Sequence, residues 1–242
     1  MQSSRIATLS AGLAVAGAAL FAGGPIAIHA GVAAPLIGFY AFALGAIVFG
    51  LSSLVLGAIG LYVTRPAAGR GGRGRAVVGS GVGLLLLGAV FASASPGGGL
   101  PPINDITTDT ADPPDFPRAR ELDANRARDM TYPGEAFATQ QREGYPDLEP
   151  IRLDVSTGEA YEAALNAITG FGWEITGSDR YSGSIEATDT TAVFRFVDDI
   201  VVRVRSVDGV TVVDVRSKSR DGRGDLGANA ARIRSLDRKS VV

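Results

Sequence analysis

Three long stretches without a charged side chain account for most of the first 95 residues. They run from Ile6 to Ile28, from Pro35 to Val63 and from Ala76 to Ala94, and they contain mainly apolar and small residues. A helix needs about 20 residues to cross the hydrocarbon core of a bilayer, and each stretch is about that long or longer. In a water-soluble fold, three such helices would have to be buried on every side. The pattern therefore predicts a three-span membrane anchor over residues 1–95.

The charged residues are divided unevenly between the two parts of the chain. Residues 1–95 contain five arginines and no acidic residue, whereas all 25 Asp and Glu residues lie in 96–242. Four of these arginines occupy the loop from Arg65 to Arg75, and the loop from Gly23 to Pro35 has no Lys or Arg. Short basic loops stay in the cytoplasm. We therefore expect a multi-pass protein of the inner (cytoplasmic) membrane, with residues after 95 in the periplasm or outside.

Two features of this N-terminal part have alternative interpretations. Ile6–Ala22, preceded by Arg5, could be the apolar core of a cleaved signal peptide, although no small-x-small cleavage site stands out. The arginine loop could bind anionic lipid or nucleic acid, although four arginines on a glycine-rich loop between spans are more typical of topology determinants. We therefore expect the lipid bilayer as a partner and no nucleic acid.

The three spans contain no acidic, basic or amide side chain. Their composition disfavours a pump, a transporter or a proton path, and a helix-bundle channel is a third functional alternative. Small residues at helical spacing, Ser53 with Gly57 and Gly79 with Gly83, would let the helices approach closely. The membrane part is therefore predicted to serve as an anchor.

The middle of the chain, residues 96–147, is rich in proline and aspartate. Residues 95–117 hold six of the twelve prolines, so we expect an extended tether followed by irregular chain. Its aspartates could hold a hard cation such as calcium, but their spacing lacks the glycine and the terminal glutamate of a calcium loop. A solvated acidic linker is the favoured interpretation. The four aspartates are Asp105, Asp109, Asp112 and Asp115.

A folded α+β domain is predicted over residues 148–242. Its elements follow the order β-α-β-β-β-β-α, which favours an antiparallel sheet with both helices on one side. The first helix opens with a capping box formed by Ser156 and Glu159. The predicted strands are Ile151–Val155, Trp173–Thr176, Ser184–Thr190, Val193–Ser206 and Val210–Ser217, and the final helix is Leu226–Leu236.

The hairpin formed by the last two strands has a predictable register. Asp208-Gly209 is a two-residue turn typical of type I′ hairpins, so Val207 should face Val210. Val204 then pairs with Val213 and Val202 with Val215 on one face, whereas Arg203 pairs with Asp214 on the other face. The apolar and charged faces separate cleanly in this register.

A glycine-rich stretch precedes the last helix. Gly222, Gly224 and Gly227 spell G-x-G-x-x-G, but a dinucleotide site also needs a following strand and an acidic residue about 20 positions on. Asp225 is better explained as the N-cap of the helix that follows. We expect the helix to place four residues on the sheet, namely Leu226, Ala230, Ile233 and Leu236.

The segments PPINDITTD, FRFVDDIVVRVR and VDVRSKSRDGRGDLGANAARIR resemble the domain-of-unknown-function family 1499 over roughly Pro101 to Arg238. The most specific part is R-S-x-S-R-x-G-x-x-D-x-G-x-N-x-x-R-I at Arg216–Ile233, and the three-span N-terminus is similar to one bacterial branch of the family. The resemblance implies no agreed activity. Other members carry a cysteine near the start of the domain, and this chain has none, so a role for that thiol does not carry over.

Few residues suit catalysis. The only histidine, His29, lies between two spans, so the soluble part cannot contain a histidine-based triad or metal site. Asp198 and Asp199 are the natural carboxylate pair for a hydrolase, but neighbouring strand residues point to opposite faces. The competing interpretation is an aspartate pair that ends the strand and pairs with arginine. We predict no catalytic residue, no metal site and no cofactor.

The best functional candidate is a polar cluster near the last helix. Arginine side chains and serine hydroxyls suit carboxylate or phosphate groups, so the cluster could bind a small anionic ligand. Alternatively, it is an ion-pair network that fastens the last helix to the sheet. We expect a membrane-anchored binding or envelope-assembly module, with an envelope protein or a small anionic ligand as partner and a carboxylate-dependent hydrolase as the alternative. The cluster consists of Asp198, Asp199, Arg216, Ser217, Ser219, Arg220 and Arg232.

Overall fold

The computed structural model describes residues 2–94 and 99–240. These residues form two compact units, of which the first comprises residues 1–96 together with the short loop 192–195. The second comprises residues 97–191 and 196–242. The predicted start of the tether, at residues 95–98, lies outside the described residues.

The first unit contains three long apolar helices, as predicted. Their mean hydropathies are 1.8, 2.3 and 2.1, and each is long enough to cross a membrane. A single π-helical stretch, Leu44–Phe49, interrupts the second span. The helical segments are α1 (Arg5–His29), α2 (Pro35–Ala43), α3 (Gly50–Val63) and α4 (Arg73–Ala94).

Small residues bring α3 and α4 close together. A Cβ atom built on Gly83 would lie 2.5 Å from the carbonyl oxygen of Gly50 and 2.6 Å from Oγ of Ser53. A Cβ atom on Gly57 would overlap Ser80 in the same way. The close approach predicted from the small residues is therefore present, and any larger side chain at these positions would separate the helices.

The second unit is built on an antiparallel sheet, which confirms the predicted α+β class. The strand order is β1-β6-β5-β4-β3, and β2 pairs with another part of β6. The helices of this unit are α5 (Glu135–Gly144), α6 (Thr157–Phe171) and α7 (Ala228–Ser240). The strands are β1 (Asp105–Thr107), β2 (Ile151–Leu153), β3 (Glu174–Asp179), β4 (Ser184–Thr190), β5 (Val197–Val207) and β6 (Val210–Ser219).

The main core lies between one face of the sheet and the helices α6 and α7. Helix α6 begins at the predicted capping box, in which Ser156 and Glu159 each bond the other's backbone N–H. Both helices contribute to one apolar cluster with the sheet, so the prediction that they share a side is confirmed. The cluster includes Ala160, Ala164, Ile168, Ile185, Ile200, Val202, Val213, Val215, Ala230, Ile233 and Leu236.

The β5–β6 hairpin has the predicted register. Val207 faces Val210, and Arg203 faces Asp214 across the two strands. The turn residues Asp208 and Gly209 have φ values of 52° and 82°, the left-handed conformation that a type I′ turn needs. The four predicted inward-facing valines, at 202, 204, 213 and 215, are all buried.

The other sheet face is covered by chain that was predicted as a tether, and this prediction is wrong. β1 pairs with the end of β6, and its three residues are buried. A second apolar cluster joins Val201 of the sheet to Phe116, Ala119 and Met130. The segment after β1 therefore packs on the sheet instead of extending into solvent, and the domain contains an additional strand and helix α5.

The ends of several elements also differ from the predictions, among them those of β5 and α7. Strand β5 begins at Val197 rather than Val193, because Arg195 adopts a φ of 54° that interrupts an extended strand. Helix α7 begins at Ala228, and Leu226 lies before it with a φ of 53° and 61% exposure. The placement of Leu226 on the buried face was therefore wrong, whereas Ala230, Ile233 and Leu236 are buried as expected.

Candidate functional site

The residues of the glycine- and arginine-rich motif meet at one end of the sheet. There β5 begins, β6 ends and α7 starts, and the register places Asp198 opposite Ser219 and Asp199 opposite Lys218. Three arginines pair with four aspartates at this end, and we call the set the arginine network. It consists of Arg216, Arg220 and Arg232 with Asp105, Asp189, Asp198 and Asp199.

Arg216 is enclosed within the protein. Its Nε and one terminal nitrogen donate to the two carboxylate oxygens of Asp105, each at 2.8 Å. The terminal nitrogens also donate to the backbone oxygens of Pro114 and Met130, both at 2.9 Å. The side chain is 2% exposed and lies over the ring of Phe116, 4.8 Å from its centroid. The guanidinium therefore has its partners inside the domain and presents no open surface to a ligand.

Arg220 forms a two-point ion pair with Asp199 on the same side of the sheet. Its Nε and a terminal nitrogen donate to the two oxygens of Asp199 at 2.9 and 2.6 Å. Asn125 donates to the same carboxylate at 3.0 Å. The hydrogen bond to Asp199 raises the pKa of Arg220. Asp199 is buried and the arginine is mostly covered, which makes this pair part of the packing of the segment over the sheet.

Arg232 lies on the opposite side, between α7 and the sheet. It donates to Asp189 at 2.8 Å and to Asp198 at 2.7 Å, two residues directly opposite each other on β4 and β5. Like charges at such a position repel, and the guanidinium between them offsets that repulsion. Its other terminal nitrogen donates to Ser217 at 3.0 Å and to Asn229 at 2.7 Å. This arginine therefore links α7 to three strands.

Asn229 and Asp225 complete the network at the start of α7. The side chain of Asn229 donates to Ser219 at 2.9 Å and accepts from Ser217 at 2.7 Å. The carboxylate of Asp225 accepts from the backbone N–H groups of Gly227 and Asn229, as an N-terminal cap does. Burial raises the pKa of Asp225. The backbone N–H groups that a phosphate would need in a nucleotide loop therefore already donate to this carboxylate.

The predicted cluster is thus divided by the sheet. Asp198, Ser217, Ser219 and Arg232 lie on the α7 side, whereas Asp199, Arg216 and Arg220 lie under the segment that follows β1. The two aspartates bond to different arginines on opposite sides, so they cannot act together on one substrate bond. Three residues that bond to the predicted cluster were missing from it, although two of them lie in the segments that resemble the family. The omitted residues are Asp105, Asp189 and Asn229.

The aspartates predicted as a solvated linker are ion-pair partners instead. Asp109 pairs with Arg205 at 2.9 Å, and Asp112 pairs with both Arg203 and Arg205. Asp214 on β6, fully buried, pairs with the same two arginines. Within residues 2–94 and 99–240, no group of three or more His, Cys, Asp or Glu side chains could hold a metal ion. These ion pairs therefore attach the acidic segment to the charged face of the β5–β6 hairpin.

A polar concavity lies at the other end of the sheet, and we call it the turn cleft. It has a volume of about 440 Å³ and lies between the start of α6, the β3–β4 turn and the end of β5. A smaller cleft of about 220 Å³ on the β3–β4 surface includes Glu121, Asp179 and Glu186. The polar side chains of the turn cleft are Thr157, Tyr161, Arg180, Tyr181, Ser182, Arg205 and Ser206.

Comparison with known proteins identifies one family. A family model described as "Protein of unknown function (DUF1499)" matches residues 105–239, more than half of the chain. No curated protein matches the chain. The matched region begins at β1 and ends within α7, and so includes the whole sheet and both sides of the arginine network.

Proposed function

We propose that this chain, which belongs to the DUF1499 family, is a membrane-anchored module. Its C-terminal domain binds a ligand on the outer side of the cytoplasmic membrane. The three apolar helices associate the chain with a membrane. The arginine network makes the domain a rigid scaffold, because its buried charges have partners within the chain. The ligand site belongs elsewhere on the domain, at the turn cleft.

The orientation is supported by the distribution of arginines. With three spans, the loop between the second and third spans lies on one side, and the chain after the third span lies on the other. That loop contains Arg65, Arg70, Arg73 and Arg75, and basic loops of this length stay in the cytoplasm. The domain that follows α4 is therefore proposed to face the periplasm or the exterior.

The composition of the turn cleft carries the proposal of binding. Among the described residues that line it are Arg180, whose guanidinium is about half exposed, two tyrosines and several residues with hydroxyls, and none of the lining residues is acidic. A concave surface with a few polar groups and aromatic rings is typical of ligand sites. A hydrolase that uses Asp198 and Asp199 receives less support, because those carboxylates are buried on opposite sides of the sheet.

A photo-crosslinker at the mouth of the cleft tests the proposal. Tyr181, which is fully exposed, is replaced by p-benzoylphenylalanine in the full chain in its native membrane, and the intact mass is measured after illumination. The same replacement at Glu143, exposed on α5 and outside the cleft, is the matched control. We expect a defined adduct at position 181 that is absent at position 143. No adduct at either position, or equal adducts at both, would contradict binding at the turn cleft.

A further inference from the structure

We infer that the turn cleft binds an oligosaccharide bearing an anionic group, either a carboxylate or a phosphate. The inference rests on the proposed function, because it names the class of ligand for the same cleft. It follows from one accessible guanidinium, one exposed aromatic ring and a set of hydroxyls that line a single concave surface.

Arg180 supplies the group that would recognise the anion. Its guanidinium lies 5.8 Å from the ring centroid of Tyr161, which holds it beside the cleft. Its partner in the protein is Glu162, and both side chains of that pair are about half exposed. An exposed ion pair contributes little to stability, so a ligand carboxylate or phosphate can replace Glu162 at low cost. The planar fork of arginine matches both anions in two-point geometry.

Tyr181 supplies a flat surface for a sugar ring. Its side chain is 104% exposed, so the ring is free of packing against the domain. The turn that carries it is held by Asp179, which accepts from the backbone N–H of Tyr181 and from the hydroxyl of Ser182. An aromatic ring with a polar tip on a fixed turn offers both apolar contact and a hydrogen bond.

The remaining polar residues that line the turn cleft suit a ligand rich in hydroxyl groups. Thr157, Ser182 and Ser206 carry side-chain hydroxyls that can accept hydrogen bonds, and those of Thr157 and Ser206 can also donate, whereas that of Ser182 donates to Asp179. The floor is closed by the contact between Gly183 and β5, where a Cβ atom would overlap the carbonyl oxygen of Val204. A neutral hydroxyl-rich ligand would use these groups alone, and the anionic group adds the contact with Arg180.

The two clefts differ in the charge of the residues that line them, and this difference supports an anionic ligand for the turn cleft. The smaller cleft is lined by Glu121, Asp179 and Glu186 with one arginine, so it would repel an anion. In the turn cleft, no described lining residue is acidic, and Arg180 supplies the positive charge, because Nε, Nη1 and Nη2 of Arg205 donate to Asp214, Asp112 and Asp109. An anionic ligand therefore fits the turn cleft and not the smaller one.

Calorimetry on the full chain in zwitterionic nanodiscs tests the inference. The probes are trigalacturonate, maltotriose phosphorylated at one 6-hydroxyl, neutral maltotriose and inorganic phosphate. We expect an acidic or phosphorylated saccharide to bind at least about tenfold more tightly than maltotriose, since hydrogen bonds to a charged group are stronger than those between neutral groups. The first two probes distinguish a carboxylate from a phosphate. Equal affinity for maltotriose and both charged saccharides, or binding of none of the saccharides, would overturn the inference.

Variants locate the binding. Arg180→Gln and Tyr181→Ala should each weaken saccharide binding roughly tenfold or more, with unchanged Trp173 emission showing that the domain remains folded. Arg223→Gln, at an exposed arginine outside the cleft, is the matched control and should have no effect. Full affinity in Arg180→Gln, or an equal loss in Arg223→Gln, would refute the assignment. If the crosslink at Tyr181 forms but no saccharide binds, only the ligand class fails, whereas loss of both removes the proposed function as well.

Discussion

Replacing Arg216 with methionine tests whether the arginine network is structural. The substitution replaces the arginine with an unbranched apolar side chain and removes both hydrogen bonds from Arg216 to Asp105, which is fully buried. Asp105 would retain Lys218 at 2.7 Å, and the carbonyls of Pro114 and Met130 would each lose a donor. Breaking a buried ion pair by removing one partner costs about 3–5 kcal/mol. Domains of this size are stable by about 5–15 kcal/mol, so much of the stability would be lost.

Urea denaturation of the full chain in detergent measures this loss directly. Trp173 is the only tryptophan in the chain, and it stacks on Phe171 with the ring centroids 4.9 Å apart, so its emission reports unfolding of the C-terminal domain. With a denaturant slope of about 2 kcal/mol per molar, the midpoint should fall by about 1.5–2.5 M. Adding Asp105→Asn to Arg216→Met removes the charge of a buried carboxylate that has lost one of its two cationic partners, and it should recover part of the loss.

The same experiment distinguishes the two interpretations of the cluster. If Arg216 and Arg220 served a ligand, Arg216→Met and Arg220→Ala would leave the midpoint near that of the wild type and abolish anion binding instead. A midpoint within about 0.3 M of the wild type for Arg216→Met would refute the structural interpretation.

Two further predictions concern single carboxylates. The buried carboxylate of Glu186 accepts hydrogen bonds from the backbone N–H groups of Arg118 and Ala119, and burial raises its pKa. Because the folded pKa lies above the unfolded value, the contribution of Glu186 to stability is present at low pH. That contribution is lost as the pH rises through the folded pKa. Urea midpoints from pH 4 to 7 should therefore show this decline in the wild type relative to Glu186→Gln, and a parallel pH dependence in both would contradict it. Asp225→Ala removes the cap of α7 and should cost about 1 kcal/mol, which would lower the Tm by a few degrees in a thermal scan. The conservative variant Asp225→Asn should lose less stability. An unchanged Tm in Asp225→Ala would show that the cap does not limit stability.

Features encoded by neighbouring residues were predictable from the sequence. The register of the β5–β6 hairpin follows from Asp208-Gly209, because a two-residue turn leaves one pairing that buries all four valines. The three spans follow from length and the absence of charge, and the capping box at Ser156 follows from its spacing to Glu159. In each of these cases the determining interaction lies within a few residues or within one segment.

Features that depend on distant partners were not predictable in the same way. Asp105 and Asp109 looked like solvated linker residues, because their partners Arg216 and Arg205 lie about 100 positions further along the chain. Strand alternation separates Asp198 from Asp199 and separates Arg216 from Ser217 in the same way, so the predicted cluster could not lie on one face of the sheet. The turn cleft joins α6, a turn and β5, so no local pattern indicated it.

Cysteine accessibility tests the orientation of the domain, on which the whole functional account depends. The chain has no cysteine, so a single introduced thiol reports its own side of the membrane without background. Tyr181→Cys, in the C-terminal domain, and Arg70→Cys, in the arginine loop, are treated with a membrane-impermeant maleimide in cells with a sealed cytoplasmic membrane. We predict labelling of Tyr181→Cys in these cells and labelling of Arg70→Cys only after lysis. Labelling of Arg70→Cys in sealed cells, with protection of Tyr181→Cys until lysis, would contradict an outward-facing binding domain.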